Sequence, residues 1–283
     1  GLKNAAQTFQ RLMDSVLRDL PFVFVYLDDI LVASATVQEH LAHLRALFTR
    51  LSEHGLIINP AKCQFGVSDI DFLGHRVTKG GAAPLPAKVE AVQAFPRPLT
   101  ARALREFLGM VTFYHRFIAR AADVMRPLYE ALKGKTPVQA IDCTADADSA
   151  FAEVKTALAQ AALLAYPSST APISITTDAF DYAVGAVHEQ WVEGAWQPLA
   201  FFSRQLTPRE RRYSAFDREL LGLYLAVRHF RFMLEGREFT AFVDHKPLTF
   251  AMSKVAEPWS ARQPVSYTHL RAHETPEHLV CRL

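Results

Sequence analysis

Two aspartates, Asp28 and Asp29, stand side by side at the centre of the apolar stretch FVFVYLDDILVAS (22–34). A tight hairpin turn favours Asn-Gly or Asp-Gly, because the primed turns need positive φ. No glycine is present here, and adjacent carboxylates repel. Three more acidic residues fall at element ends. Asp178 closes ISITTD (173–178), Asp244 closes EFTAFVD (238–244), and Glu219 lies early in an apolar helical stretch over about 214–234. Carboxylates gathered in this way suit phosphoryl transfer with two divalent cations. Ions about 3.5–4 Å apart clamp the attacking and leaving oxygens, and hard cations take oxygen ligands. Like charges that repel in an empty site become favourable around such ions. Plainer readings stay open at this level: an acidic turn for Asp28–Asp29, a helix N-terminal acid for Glu219, and strand-end turn formers for Asp178 and Asp244.

The elements that must position these groups can be read from periodicity. Ala5, Phe9, Leu12, Met13, Val16 and Leu20 recur at helical spacing, with Pro21 after the stop. Phe22–Tyr26 and Ile30–Ala33 are predicted strands of a hairpin with the aspartates at its tip. Leu41, Leu44, Leu47 and Leu51 mark a second helix that Gly55 closes in a left-handed cap. LIIN (56–59) and the stretch 62–78 are predicted short strands, with turns at Pro60 and Ser68. GGAAPLPAK (80–88) is a Gly/Pro-rich joint. Helices are predicted over 88–95, 101–118 with Thr100 as N-cap, 127–133 and 149–162, with the polar connector 134–148 before the last. The third module reads β-β-β-α-β: ISITTD, YAVGAVHEQ (182–190), WQPLAFFSR (196–204), the long helix, and EFTAFVD. TPRE (207–210) has the form of a capping box with Pro at the first helical position.

Composition sets the outer bounds. The chain has 283 residues, half of them hydrophobic, and a net charge of +2. That length suggests two or three modules with sizeable cores. No run of eighteen apolar residues appears, so no membrane span is expected. The N-terminus has no starting Met and no signal-like apolar run, and reads as an internal piece of a longer chain. Three widely spaced cysteines, Cys63, Cys143 and Cys281, fit a reducing compartment better than a disulfide framework. Residues 84–134 and residues 203–237 each hold eight Lys/Arg against four Asp/Glu. Such surpluses suit a polyanionic partner, although solvated helix faces explain them as well.

The motifs, taken in order, carry a resemblance. YLDDILVAS (26–34) closely resembles the Tyr-x-Asp-Asp hairpin of reverse transcriptases, GLKNAAQTFQRLMD (1–14) the segment before it, and GLIINPAKCQF (55–65) with FLGH (72–75) the segments after it. FPRPLTARALREFLGMVTFYHRFI (95–118) resembles the thumb-and-connection helices of Gypsy-type long-terminal-repeat retrotransposons. ITTDAFDYAVGAVHEQ (175–190), YSAFDRELLGLYLAVRHFRFMLEGREF (213–239) and VDHKPLTF (243–250) resemble the ribonuclease H region of the same polyproteins. The likeness spans about residues 1–263. It implies an α+β chain: a partial reverse transcriptase palm over 1–83, a helical thumb and connection over 84–148, and a ribonuclease H-like mixed α/β domain over 149–263, truncated at its C-terminus.

The same resemblance implies roles. Asp28 would ligate both polymerase metals and Asp29 would be a looser ligand. Tyr26 would lie near the growing primer end, and Phe72, Leu73, Gly74 and His75 would grip the primer. Lys62 would protonate departing pyrophosphate, with a merely solvated lysine as the plain alternative. Asp178, Glu219 and Asp244 take the first three positions of the nuclease's four-carboxylate set. Arg204, Arg209, Arg211 and Arg212 are candidate phosphate contacts. The implied cofactor is magnesium, two ions per active site, with manganese as an alternative. The implied partners are an RNA template, a DNA primer and an RNA–DNA hybrid, with deoxynucleotides for the full-length parent and no membrane. The implied setting is intracellular, in a retrotransposon polyprotein or virus-like particle, cytoplasmic or nuclear. The implied activity is RNA-directed DNA polymerisation with hydrolysis of the RNA strand of the hybrid. A catalytically silent nucleic-acid-binding remnant is the alternative.

Some residues depart from the family pattern. Another metal-binding aspartate is expected upstream of residue 1, so the polymerase site is expected to be incomplete in this chain. Phe180 stands where relatives have a small residue and is expected to crowd the site. His188 stands where they have an apolar one and is expected to be exposed. The tail PVSYTHLRAHETPEHLVCRL (264–283) does not fit. Its His269, His273, His278 and Cys281 imitate zinc spacing, but the stretch resembles a translated sequencing adapter and is set aside as artefactual.

Overall fold

The computed structural model describes residues 3–142 and 144–244. The chain divides into two compact units, Gly1–Phe72 and Leu73–Leu283. Cys143, Cys281 and the histidines of the tail lie outside the described residues, and Cys63 is a free thiol. Among the described residues, no helix is long and apolar enough to cross a membrane.

The first unit begins with helix α1 (Ala5–Leu17), the strands β1 (Val23–Tyr26) and β2 (Asp29–Val32), and helix α2 (Val37–Glu53). Its core forms because helical and strand periodicities aim at the same place. Met13, Val16 and Leu17 of α1 meet Leu47 and Leu51 of α2, and the inward hairpin residues Val23, Val25, Ile30 and Val32 close over them. Thr36 and Glu39 form a reciprocal capping box at the start of α2. At its end Gly55, at φ 68°, lets the Leu56 N–H donate to Leu51 O at 2.9 Å and its own N–H to Ser52 O at 3.0 Å. These bonds satisfy carbonyls the helix would otherwise leave unpaired. LIIN forms no strand. Leu56 and Ile58 pack on the core while Ile57 is 96% exposed, so the segment gains its stability from docked side chains rather than a ladder. A 3-10 turn at Pro60–Lys62 and the short strand β3 (Ile70–Phe72) follow.

The second unit opens with an antiparallel hairpin of β4 (His75–Thr78) and β5 (Gly81–Pro84), so the predicted joint at 80–88 is half strand. Gly81 is required there: at φ +148°, a Cβ would lie 2.2 Å from the Leu164 carbonyl oxygen. Helices α3 (Pro86–Ala94), α4 (Ala101–Phe113), α5 (Ala121–Val124), α6 (Arg126–Ala131) and α7 (Ala145–Ala159) build a helical core around Leu104, Phe107, Val111, Phe117, Met125 and Leu158. Burying each such side chain contributes roughly 1.5–3 kcal/mol. Thr100 caps α4 by accepting from the Ala103 N–H. The helix stops at Phe113, short of the predicted 118, and a 3-10 turn at His115–Phe117 continues the chain.

A four-stranded sheet follows, in the order β8-β7-β6-β9, from β6 (Ile173–Ala179), β7 (Ala183–Val192), β8 (Ala195–Gln205) and β9 (Phe239–Val243). The first three strands run antiparallel as a meander. Helix α8 (Ala215–Leu234) then crosses over to bring β9 parallel to β6. Leu220, Leu223, Val227 and Phe230 of α8 pack on Ile173, Ile175 and Ala241 of the sheet. The Thr207–Glu210 box forms but caps only a 3-10 turn at Glu210–Arg212. Ser214 is the actual N-cap of α8, accepting from Asp217 N–H at 3.1 Å.

His188 is fully buried, against expectation. Its Nδ1 donates to Ser174 O at 2.9 Å and its ring lies 5.3 Å from that of Phe230, because β7 turns this position towards α8. The helical core and the sheet are also tied by hydrogen bonds: Ser203 Oγ accepts from the Ala122 N–H at 2.8 Å and lies 3.2 Å from His115 Nε2.

Candidate active site

The parallel pairing of β6 and β9 sets Thr177 opposite Val243. The next residues on the two neighbouring strands, Asp178 and Asp244, therefore leave the sheet at the same level. Glu219 joins them from the start of α8. The helix packs closely on the sheet here, with Val184 and Ala179 at van der Waals distance from where a Cβ on Gly222 would lie. One carboxylate oxygen from each of Asp178, Glu219 and Asp244 lies within 4.8 Å of the others. Among the described residues no other group of three potential metal ligands forms. Beside the triad a pocket of about 270 Å³ is lined by Thr176, Thr177, Asp178, Phe242, Val243 and Asp244.

The electrostatics of this arrangement favour a proton or a cation among the carboxylates. Glu219 is only 6% exposed. Its Oε1 accepts from the Ala179 N–H at 3.2 Å, while Oε2 is buried with no hydrogen-bond partner. Burial first, and the nearby Asp244 charge second, push the Glu219 carboxyl up to about 7. Burial and Asp244 likewise raise Asp178, with Arg120 opposing them. A buried carboxylate oxygen without a partner is costly unless a proton or a metal ion reaches it. Three hard oxygen ligands on two strand ends and a helix are the donor set that a divalent cation takes, so the residues present fit one.

Phe180, expected to crowd the site, instead lies under the Arg120 guanidinium, 3.9 Å from Cζ to ring centroid. Of the four arginines singled out, Arg204 pairs with Glu210 at 2.8 Å and Arg211 lies over Tyr182 at 5.1 Å.

The paired aspartates are arranged differently. Tyr26 and Asp29 face each other in the ladder, so Leu27 and Asp28 are the two loop residues of the hairpin. Leu27 takes the left-handed conformation, φ 52°, in place of the missing glycine. Gln10 of α1 secures it: its Oε1 accepts from the Leu27 N–H at 2.6 Å and its Nε2 donates to Val25 O at 3.2 Å. Asp28 and Asp29 are exposed, and no third ligand joins them among the described residues. Tyr26 is 51% exposed on the outer hairpin face. Lys62 is exposed at the end of the 3-10 turn.

Phe72 packs edge-on against Phe24 at 5.8 Å within the first unit. In the second unit, Leu73 (φ 47°) and Gly74 (φ 81°) form a tight turn. It is bolted to the end of α4, since Tyr114 OH donates to Gly74 O at 2.8 Å and His75 stacks on Phe113 at 5.3 Å. Sequence reasoning did not single out Gln10, Arg120 or Tyr114. Gln10 and Tyr114 act on segments distant in sequence, and local pattern carries no sign of that.

Two family models match separate parts of the chain. Residues 1–77 match the family described as reverse transcriptase (RNA-dependent DNA polymerase), and residues 143–241 match the RNase H-like domain found in reverse transcriptase. The chain carries reverse transcriptase and ribonuclease H-like sequence of the Pol type. The chain is 37% identical over 250 residues to the retrovirus-related Pol polyprotein from transposon 297 of Drosophila melanogaster, covering 88% of this chain and 23% of that one. It is 34% identical over 268 residues to the polyprotein from transposon gypsy of the same organism, covering 89% and 25%. The chain thus spans about a quarter of the length of these relatives. Its fold resembles the foamy viral protease-reverse transcriptase solved with double-stranded DNA (TM-score 0.84, 19% identity, 98% of this chain and 49% of that one). It also resembles that enzyme solved with an RNA/DNA hybrid (TM-score 0.83, 21% identity, 99% and 38%).

Proposed function

We propose that the sheet-and-helix part of this Pol segment hydrolyses the RNA strand of an RNA–DNA hybrid. The Asp28–Asp29 hairpin would belong to the metal site of an RNA-directed DNA polymerase in the longer polyprotein. The observation that carries the nuclease reading is the approach of one carboxylate oxygen each from Asp178, Glu219 and Asp244 to within 4.8 Å, with Glu219 Oε2 buried and unpartnered. The metal is proposed to be a pair of magnesium ions, with manganese as the substitute. Bound there, they would supply charge for the attacking water and the leaving oxygen.

The residues of this chain hold that site in shape. Asp178 and Asp244 project from adjacent parallel strands, and the Ala179 N–H orients Glu219 through its other oxygen. The hybrid as substrate is supported by the ribonuclease H-like match and by a structural neighbour solved with such a hybrid. A protein can distinguish a hybrid from duplex DNA through the 2′-hydroxyl and backbone shape. For the polymerase part, Tyr26, Lys62 and the turn Phe72–His75 are proposed to contact primer, template and deoxynucleotide. An intracellular particle of retrotransposon type is the proposed setting.

The test is incubation of the full chain with an end-labelled RNA–DNA hybrid and magnesium. Cleavage that EDTA and Asp178→Asn both abolish supports the reading. Salt-sensitive binding without cleavage would support a silent binding remnant instead.

A further inference from the structure

The loop that follows Asp178 and Ala179, residues 180–182, is engaged by arginines at every position. Arg120 stacks on Phe180 at 3.9 Å. Tyr182 carries two guanidinium groups, Arg126 at 4.3 Å and Arg211 at 5.1 Å. Asp181 pairs with Arg218 at 2.8 Å. Arg120 and Arg126 come from the helical module and Arg211 from the turn after β8, so separate elements converge on three residues. Arg120 does so in the left-handed conformation, φ 53°, which a non-glycine residue holds only when its surroundings impose it.

A purely structural staple would bury these groups, whereas Arg120 and Tyr182 are open and Arg126 and Arg211 are half-buried. The Arg120 side chain is 54% exposed and Tyr182 is 42% exposed. A guanidinium stacked on a ring keeps its edge free for bidentate bonds to phosphate. Spare donors are present. Arg126 holds Glu130 only loosely, at 3.6 Å, and Arg211 pairs with no carboxylate among the described residues, its Nε donating to Leu206 O at 3.1 Å. Arg120 bonds Asp123 at 2.9 Å, a surface ion pair of the kind that is worth little and exchanges readily. Three carboxylates repel a polyanion as it approaches, and cations along the rim would offset that repulsion. Arg120 is already close enough to oppose the rise of the Asp178 pKa.

We propose that Arg120, Arg126 and Arg211, held over Phe180 and Tyr182, form a phosphate-contacting rail that leads the backbone of an RNA–DNA hybrid into the carboxylate site. The proposal rests on the hydrolytic reading above and assigns that site its substrate-guiding residues.

The test is equilibrium binding of a labelled RNA–DNA hybrid to the full chain carrying Asp178→Asn, across a potassium chloride series. Arg120→Gln, Arg126→Gln and Arg211→Gln should each weaken binding and flatten the slope of log affinity against log salt by about 1. Arg231→Gln, which removes an exposed charge three turns further along α8, should leave the slope unchanged. Unchanged slopes with lowered melting temperatures would mean that the rings only staple the modules together, and the rail would be overturned. An equal loss for Arg231→Gln would reduce the effect to net charge and overturn it too. Hybrid cleavage by the wild type with unchanged slopes sinks the rail alone. A chain that neither binds nor cleaves hybrid sinks the function as well.

Discussion

Glu219 and Ala179 are joined by a hydrogen bond in which the Ala179 N–H donates to Glu219 Oε1 at 3.2 Å. Ala179 directly follows Asp178 on β6, so this one bond sets the helix carboxylate against the strand carboxylate. It also leaves Oε2 buried without a hydrogen-bond partner. A buried carboxylate oxygen in that position costs stability unless a proton or a cation reaches it.

Substituting Glu219 by Gln separates fold from function. Burial and Asp244 raise the Glu219 pKa from 4.5 to about 7 in the folded chain. The fold therefore binds a proton more tightly than the unfolded chain does, and without metal it loses stability as pH rises from 4.5 to about 7. Glu219→Gln keeps a carbonyl acceptor for Ala179 and removes that penalty, up to about 3 kcal/mol above pH 7. Its melting temperature without magnesium should exceed that of the wild type, and magnesium should no longer raise it. Hybrid cleavage should fall on the order of 100-fold or more, since even outer-shell partners of a metal cost 10–100-fold. Paired thermal melts with and without magnesium check the first part, and a cleavage assay the second.

Gln10 is the corresponding brace of the Asp28–Asp29 hairpin. Without glycine at the turn, Leu27 holds φ 52°, and Gln10 supplies the acceptor for its N–H. Gln10→Ala should cost the unit roughly 1–2 kcal/mol and speed exchange of the Leu27 amide about tenfold. Amide hydrogen exchange resolved at Leu27 checks this. Unchanged protection would mean that the strand pairing alone holds the tip.

His188 makes acid stability the readout of a buried ring. Its Nδ1–H is committed to Ser174 O, so an added proton would sit on Nε2, where no acceptor lies. Burial accordingly lowers its pKa below 6.5. A base held neutral in the fold contributes stability fully above 6.5 and loses it as pH falls below that value. His188→Leu should therefore flatten the fall in melting temperature between about pH 7 and 5. A wild type and variant that decline in parallel would contradict this.

The parts legible in the sequence were those with local periodicity. The YLDD hairpin, the Gly55 cap, the Thr100 cap and the β-β-β-α-β order all follow from spacing within a few residues. The three carboxylates could be chosen because the family resemblance matched them, their positions at strand ends and early in a helix leaving plainer readings open. Their approach to 4.8 Å, however, depends on β9 returning parallel to β6, which is a topological fact. LIIN misled because its apolar run suits a strand, whereas its partners are side chains of α1 and α2 rather than a neighbouring strand. His188 misled because residue type gave no face; the register of β7 did. The Arg120–Phe180 stack was unreadable because its members are sixty residues apart and come from different modules.

The account depends on Asp178, Glu219 and Asp244 sharing a divalent cation. Manganese titration of the full chain, followed by electron paramagnetic resonance, tests this most directly. Wild type should take up manganese in competition with magnesium, and Asp178→Asn, Glu219→Gln and Asp244→Asn should each lose a binding event. Uptake that is absent in the wild type, or undiminished in all three variants, would contradict it.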